Sequence, residues 1–125
     1  MKKAISTTKA PSAIGPYSQA VEVGEFIFTS GQIPLDPKTG KMPTDIADCT
    51  RQSLENIKAI LEAVGSDMSK VVKTNVFLAD MKDFAAMNDV YAQYFSGGVL
   101  PARSAVEVAQ LPKGARVEIE AVAQR

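Results

Sequence analysis

The sequence contains no histidine and a single cysteine, Cys49. One thiol excludes an internal disulfide, and without a second thiol or an imidazole no soft zinc or iron site can be built. The common serine–histidine and cysteine–histidine nucleophile pairs are excluded as well. Arginine, carboxylate, hydroxyl and amide groups remain for chemistry, and no clustered acidic pattern suggests a magnesium site. We therefore expect neither a metal nor a cofactor.

The chain also lacks net charge, since 14 basic side chains balance 14 acidic ones. Such a protein has no overall field to gather nucleic acid or anionic membrane, so any anion must be bound by a local site. No run approaches the about 18 apolar residues of a membrane span. The charged start, Met1–Lys9, has no apolar stretch behind it that could serve as a signal sequence. We expect a cytoplasmic protein with no nucleic-acid or membrane partner.

A chain of 125 residues is the size of one ordinary domain, which removes about two thirds of its unfolded surface from water on folding. No internal repeat, low-complexity tract or linker composition divides it. We expect a single domain spanning residues 1–125.

Hydrophobic periodicity predicts the elements. Residues 19–23 and 26–30 have strand character and flank a tight turn at Gly24-Glu25. Residues 31–40, with two prolines and two glycines, predict a surface excursion. Apolar residues then recur at three and four positions from Thr44, with Thr44 or Asp45 as cap and Gly65 as the end, which is typical of a helix.

A β-branched strand at 71–78 follows, then a second helical pattern through 84–95, which Asp83 could cap. The last two alternating segments are 102–109 and 115–122, separated by a turn at 111–114. The order ββαβαββ predicts an α+β domain with both helices on one face of a sheet. The other face should be half polar, open to solvent or to another subunit; its candidate residues are Lys73, Asn75, Arg103, Glu118 and Glu120.

Two residues are the main candidates for chemistry. Arg103 follows Pro101-Ala102 at the start of a strand, where a planar guanidinium could be presented to a carboxylate, although most such arginines are simply solvated. Glu118 could orient or deprotonate a water if it lies close to Arg103. An arginine nearby would lower the pKa of that carboxyl and burial would raise it. The alternative is that Glu118 and Glu120 form a solvent-facing stripe.

Other polar residues are weaker candidates. Tyr17 follows a Gly-Pro turn and could offer its hydroxyl to a ligand, but loop tyrosines usually pack on the domain. Ser30 and Gly31 end a strand with a small hydroxyl and an unobstructed backbone, as anion-binding turns often do. Asn88 lies among apolar helix residues, where an asparagine is more often exposed or bonded to nearby backbone.

Taken together, several blocks resemble the reactive intermediate deaminase (YjgF/Rid) family in order and spacing. The likeness covers nearly the whole chain; its blocks are 14–20 (IGPYSQA), 29–34 (TSGQIP), 83–91 (DFAAMNDVY), 101–108 (PARSAVEV) and 117–120 (VEIE). The resemblance implies a chorismate-mutase-like α+β fold and a homotrimer with three clefts between subunits. It also implies hydrolysis of 2-iminobutanoate and 2-iminopropanoate, released as enamines by pyridoxal-phosphate enzymes, to 2-keto acids and ammonia.

The same resemblance implies roles for individual residues. Arg103 would grip the substrate carboxylate and Glu118 would hold the attacking water. The cleft would be lined by Tyr17, Ser30, Gly31, Asn88 and the backbone at Ala105. Many family members have cysteine in place of Ala105, so any role for a thiol there is absent.

Two alternatives to catalysis remain open at this point. The protein could be a regulatory module that binds small carboxylates without turnover. It could also cleave RNA or inhibit translation, as some relatives have been described, although the neutral charge and the lack of histidine oppose this.

Overall fold

The computed structural model describes residues 1–125 and contains two α-helices and a six-stranded sheet. In chain order the elements are β1 (Lys3–Ile5), β2 (Ala20–Val23), β3 (Phe26–Thr29), α1 (Ile46–Glu62), β4 (Val71–Leu78), α2 (Phe84–Tyr94), β5 (Ala102–Glu107) and β6 (Val117–Gln124). The α+β class is confirmed, with one strand more than the sequence predicted. That strand, β1, is only three residues long, which is too short for an alternating pattern to reveal.

The strands lie in the order β1-β2-β3-β6-β4-β5. All neighbours are antiparallel except β4 and β5, which are parallel. Parallel neighbours need a crossover connection, and α2 provides it. In the sheet, β4 lies between β6 and β5, so the last two strands of the sequence are not neighbours. β5 forms an edge of the sheet.

The predicted ends of α1 are confirmed. Asp45 caps the first turn by accepting a hydrogen bond of 3.2 Å from the backbone N–H of Asp48, and Gly65 has φ +80°, which side chains disfavour. Asp83 is the N-cap residue of α2, as predicted, but its side chain makes no capping hydrogen bond. Its carboxylate instead accepts from Nη2 of Arg116 at 2.8 Å, which ties the start of α2 to the residue before β6.

Both helices pack on one face of the sheet and enclose a core of 20 buried residues. Alternate residues of the two central strands face this core, among them Val76 and Leu78 of β4 and Val117 and Ile119 of β6. The side chains between them lie on the opposite face, which no helix covers. We call this second side the open face.

Residues 31–40 are only in part the predicted surface excursion. Lys38, Thr39 and Gly40 are exposed, but Gln32 and Pro34 are buried. Gln32 also forms an antiparallel bridge with Ile119 of β6. This bridge fixes the backbone of Gly31 beside the sheet. None of the helices combines the length and apolar composition needed to cross a bilayer.

Candidate functional site

Arg103 lies on the helix side of β5 and not on the open face, so that part of the sequence prediction is wrong. Its register partner in β4 is Thr74, which is fully buried beneath α2, and partners in register point to the same side. Because β5 is an edge strand, a long side chain there can lie along the rim of the helix layer and keep its charged end in water. The sequence correctly predicted that side chains alternate along β5, but it assigned Arg103 to the wrong face of the sheet.

The Arg103 guanidinium is held by three residues of α2. Its Nη1 donates to Oδ1 of Asn88 at 2.7 Å. Its central carbon lies 4.7 Å from the ring centroid of Tyr91 and 5.4 Å from that of Phe84, within the range of cation–π attraction. Phe84, Asn88 and Tyr91 occupy positions i, i+4 and i+7 and therefore share one helix face. We call these four residues the arginine half-site.

Arg103 has no carboxylate partner, since the ion pairs of the protein are Arg116 with Asp83 and Arg125 with Glu22. A guanidinium has five N–H donors, and the protein engages only one nitrogen of this one, through Asn88. The arginine half-site can therefore accept an external carboxylate with charge-assisted hydrogen bonds.

A second cluster forms on the open face where the chain leaves β3. A Cβ atom added to Gly31 would lie 2.7 Å from Cδ of Glu118, so any larger residue here would displace the Glu118 carboxyl from its present position. Paired hydrogen bonds of 2.8 and 3.2 Å between the backbones of Gln32 and Ile119 hold the segment against β6. The Ser30 hydroxyl donates to the carbonyl of Ser18 at 2.6 Å. Ser30, Gly31 and Glu118 constitute the glutamate half-site.

The surroundings of the glutamate half-site raise the pKa of Glu118. Partial burial raises the pKa of its carboxyl, and the charge of Glu120, two residues along the same strand and face, raises it further. Glu120 is itself held by the side-chain amide of Asn75, which donates at 3.0 Å. The cation on this face is Lys73, whose ammonium lies 3.4 Å from the hydroxyl of Ser104.

The remaining predicted residues lie beside these clusters. Tyr17 is exposed, and its hydroxyl accepts a hydrogen bond of 3.4 Å from the backbone of Ile14, so it makes no hydrogen bond to either half-site. It directly precedes Ser18, which binds Ser30. Ala105 is half-buried and packs its methyl group against the core, two residues after Arg103 on the same side of β5.

Within the chain the two half-sites are separate. Glu118 lies on the open face of β6, Arg103 lies on the helix side of β5, and β4 runs between them. Two strand spacings alone amount to about 10 Å. The structure thus brings Arg103 together with Asn88, and Glu118 with Gly31 and Ser30, but it does not bring Arg103 to Glu118.

Sequence reasoning missed Phe84 and Tyr91 as neighbours of Arg103, although it had placed Glu120 beside Glu118 on one face. The helical spacing of Phe84, Asn88 and Tyr91 could have revealed a shared face, but not that Arg103 reaches it. A polar surface cavity of about 750 Å³ lies elsewhere, between α1 and residues 7–9 and 36–38, and contains no candidate residue. No group of three or more acidic or cysteine side chains is arranged to hold a metal ion.

Comparison with known proteins gives a consistent result. Residues 7–125 match the family model described as Endoribonuclease L-PSP. The chain is 59% identical to a RutC family protein of Pyrococcus horikoshii and 54% identical to the 2-iminobutanoate/2-iminopropanoate deaminase of Escherichia coli K12, each time over 100% of this chain and 99% of the relative. The crystal structure of E. coli TdcF with bound serine is 50% identical with a TM-score of 0.95, covering 98% of both chains. The E. coli YjgF gene product is 54% identical with the same TM-score, and again 98% of both chains is covered. The chain therefore belongs to the Endoribonuclease L-PSP family, the YjgF/Rid family of reactive intermediate deaminases that its sequence blocks resemble.

Proposed function

We propose that the protein is a 2-iminobutanoate/2-iminopropanoate deaminase, which hydrolyses reactive 2-imino acids to 2-keto acids and ammonia. The observation that carries the proposal is the Arg103 guanidinium, which is fixed by Asn88 and two aromatic rings and has no carboxylate of its own. A full-length relative with 54% identity carries the name of this activity. The substrate has the carboxylate that such a guanidinium binds.

The reaction requires little of the protein beyond placing the substrate and a water molecule. The iminium carbon is already electrophilic, so a water fixed beside it suffices as nucleophile. The water oxygen bonds to that carbon and gives up a proton. That proton is passed to the nitrogen, the carbon–nitrogen bond breaks and the nitrogen leaves as ammonia, while the remaining hydroxyl proton is lost to water as the carbonyl forms. Glu118 holds this water and accepts its proton, which needs no histidine, thiol, metal or cofactor.

Arg103 supplies most of the binding for so small an acid. Two opposite charges about 4 Å apart interact by roughly 4 kcal/mol at an effective dielectric near 20, before the cost of desolvation is subtracted. The Phe84 and Tyr91 rings displace part of the water around the guanidinium and, being neutral, leave its charge free for the substrate. A carboxylate then binds to a cation that is already desolvated on one side.

The complete site requires a second copy of the chain. The open face exposes apolar side chains that a neighbour would cover, with Phe28 46% and Val106 45% exposed. Packing the β5–α2 edge of one protomer on the open face of the next brings Arg103 of one beside Glu118 of the other. Such a contact joins two different surfaces, and contacts of this kind form a ring when the rotation between successive copies closes. We infer a homotrimer of chorismate-mutase-like protomers with three equivalent clefts.

The other cleft residues follow from this assembly. The glutamate half-site contributes Ser30 and Gly31, with Tyr17 on the adjoining loop. The arginine half-site contributes Asn88, and β5 contributes the backbone at Ala105. The enzyme acts as a single domain, residues 1–125, in the cytoplasm on small 2-imino acids. The net charge of zero does not favour a nucleic-acid partner.

A coupled assay tests the proposal. 2-Iminobutanoate is generated in the presence of a competing amine, and release of 2-ketobutanoate is followed with and without the protein. We expect acceleration by the wild type and by Arg51→Ala, which removes a surface arginine bonded to Gln93. Arg103→Ala should abolish acceleration and leave the trimer intact. Arg103→Ala activity within a few fold of wild type would refute the assignment.

A second candidate function is binding without turnover, because the TdcF relative was crystallised with serine bound. A carboxylate sensor would bind 2-ketobutanoate through Arg103 but could not accelerate keto acid release. The family description also names an endoribonuclease. Ribonuclease activity that survived both repurification and Arg103→Ala would favour that third function, since Arg103 would then be irrelevant to it.

A further inference from the structure

We propose that Tyr91 is a positioning residue for Arg103, with its ring setting the plane and direction of the guanidinium so that the free N–H edge meets the substrate carboxylate. This inference rests on the proposed function. It assigns a role to a buried aromatic side chain that would otherwise be counted as part of the core.

The first step is the position of Tyr91 between the sheet and the arginine. Its hydroxyl lies 2.7 Å from the hydroxyl of Thr74, whose register partner in the next strand is Arg103. Its ring centroid lies 4.7 Å from the central carbon of the guanidinium, closer than that of Phe84 at 5.4 Å. Tyr91 therefore contacts both the residue beside Arg103 and the charged end of Arg103 itself.

The second step is that the Tyr91 ring is immobilised. Tyr91 is 7% exposed, and the Phe95 ring packs on it with centroids 4.6 Å apart. The bond to Thr74 fixes the far end of the ring. Burial raises the pKa of the Tyr91 hydroxyl, so it stays neutral at physiological pH and competes with no ligand for the arginine. A ring held at its face and at its hydroxyl is a rigid support.

The third step is that Asn88 alone cannot fix the orientation of the guanidinium. One hydrogen bond through Nη1 leaves the guanidinium free to turn about that contact. The Tyr91 ring restricts this motion, because cation–π attraction holds the central carbon of the guanidinium over the ring face. The side chain is then ordered before the ligand arrives, and binding loses less conformational entropy. Loss of the ring should weaken carboxylate binding and leave the chemistry at the imine carbon unaffected.

The test compares Tyr91→Leu with a matched control, Tyr94→Leu. Both replace a tyrosine of α2 that packs on the core, but only Tyr91 lies against Arg103. We measure KM and kcat for 2-iminobutanoate and the Kd of 2-ketobutanoate. For Tyr91→Leu we expect KM and Kd to rise about tenfold with kcat nearly unchanged, because the carboxylate is bound equally in the ground and transition states. Tyr94→Leu should leave both constants within about twofold of wild type.

The conservative variant sharpens the result. Tyr91→Phe keeps the ring but loses its bond to Thr74, so its KM should rise by about threefold, less than for Tyr91→Leu. If Tyr91→Leu does not fold, Thr74→Val carries the test, since it removes the same bond and should also raise KM about threefold. Equal effects of Tyr91→Leu and Tyr94→Leu, or an unchanged KM in the folded variant, would overturn the proposal.

The readouts separate this inference from the proposed function. A wild type that binds 2-ketobutanoate without accelerating imine hydrolysis would refute the deaminase assignment, while a weaker Kd in Tyr91→Leu would still support the role of Tyr91. An active wild type whose KM is insensitive to Tyr91→Leu would refute the role of Tyr91 and leave the deaminase assignment standing.

Discussion

The two faces of the sheet are built from the same strands but differ in almost every physical respect. On the helix side, Val76 and Ile119 are completely buried in a continuous core. On the open face, the alternating positions carry Phe28 and Val106, each nearly half exposed, together with carboxylates such as Glu118. One chain is sufficient to complete the first face. The open face combines apolar and acidic groups that no helix of the same chain covers.

This difference separates stability from function. The helix side holds the protomer together, and its contacts are internal. The candidate chemistry is divided, with Arg103 at the rim of the helix side and Glu118 on the open face. A site assembled from opposite faces of two copies can exist only after the protomers associate. Mutations on the helix side should consequently lower the stability of the chain, and mutations on the open face should lower assembly or activity.

The largest effect is expected at the glutamate half-site. Glu118→Gln keeps the shape of the side chain but cannot accept a proton, so kcat should fall by a factor of about 10² to 10⁴. Binding of 2-ketobutanoate should remain near normal. The control is Glu120→Gln on the same strand and face, which should retain most of kcat. Lost binding at unchanged kcat in Glu118→Gln would show that Glu118 grips the ligand and does not activate water.

The pH dependence of activity probes the same carboxyl. Burial and the charge of Glu120 raise the pKa of Glu118 above its usual 4.5. Because the deprotonated form accepts the proton, kcat/KM should rise with pH through a midpoint above 4.5. Glu120→Gln removes the like charge, so the midpoint should move to lower pH. A wild-type midpoint below 4.5 would show that Arg103 of a neighbouring protomer outweighs both causes.

Next in size is a truncation on the helix side. Leu54 of α1 is fully buried in the core, and Leu54→Ala should lower the free energy of unfolding by about 2–5 kcal/mol through lost burial and a residual cavity. Chemical denaturation at fixed protein concentration measures this. Where the variant folds, the KM for 2-iminobutanoate should be unchanged. A loss below about 1 kcal/mol would contradict the assignment of Leu54 to a tightly packed core.

The matching truncation on the open face should act on assembly. Phe28 is 46% exposed in the protomer, so Phe28→Ala should cost the isolated chain little. Burial of such a side chain in an interface contributes about 1.5–3 kcal/mol, and its loss should make trimer formation more dependent on concentration. Sedimentation and activity at decreasing concentration test this. Arg51→Ala, at an exposed position of α1 on the helix side, is the control and should assemble normally.

The contrast between the faces also explains how much the sequence could predict. The helices and the strand Val71–Leu78 were predicted because burial on one face repeats along the chain. Alternation also showed that Arg103 and Ala105 share a side. It could not show which side, because an edge strand lets a charged side chain lie over the helix layer. A polar residue was assigned to the polar face, and that was wrong for Arg103.

The site was less predictable than the fold for a related reason. The approach of Gly31 to Glu118 depends on the Gln32–Ile119 bridge, which joins segments far apart in sequence. Likewise, the support of Arg103 by Tyr91 depends on the register of β4 with β5. Periodicity reports which residues share a face of one element, but not which elements become neighbours. Sequence blocks resembling a family supplied the residues, and the structure supplied their grouping.

The smallest expected effect lies within the well-packed side and has the opposite sign. Ser53 of α1 is fully buried, and its hydroxyl is the one buried side-chain polar atom without a hydrogen-bond partner. Ser53→Ala removes this unsatisfied group and installs a better helix former, so the free energy of unfolding should rise by about 1 kcal/mol. Thr50→Val is the matched control, because the Thr50 hydroxyl is bonded to the Ile46 carbonyl at 2.9 Å. Thr50→Val should give no such gain, and thermal unfolding of the two variants measures the difference. A destabilised Ser53→Ala variant would mean that the packing contacts of the Ser53 oxygen stabilise the fold by more than the burial of its hydroxyl costs. Ser53 would then be as closely packed as the apolar residues of the helix side.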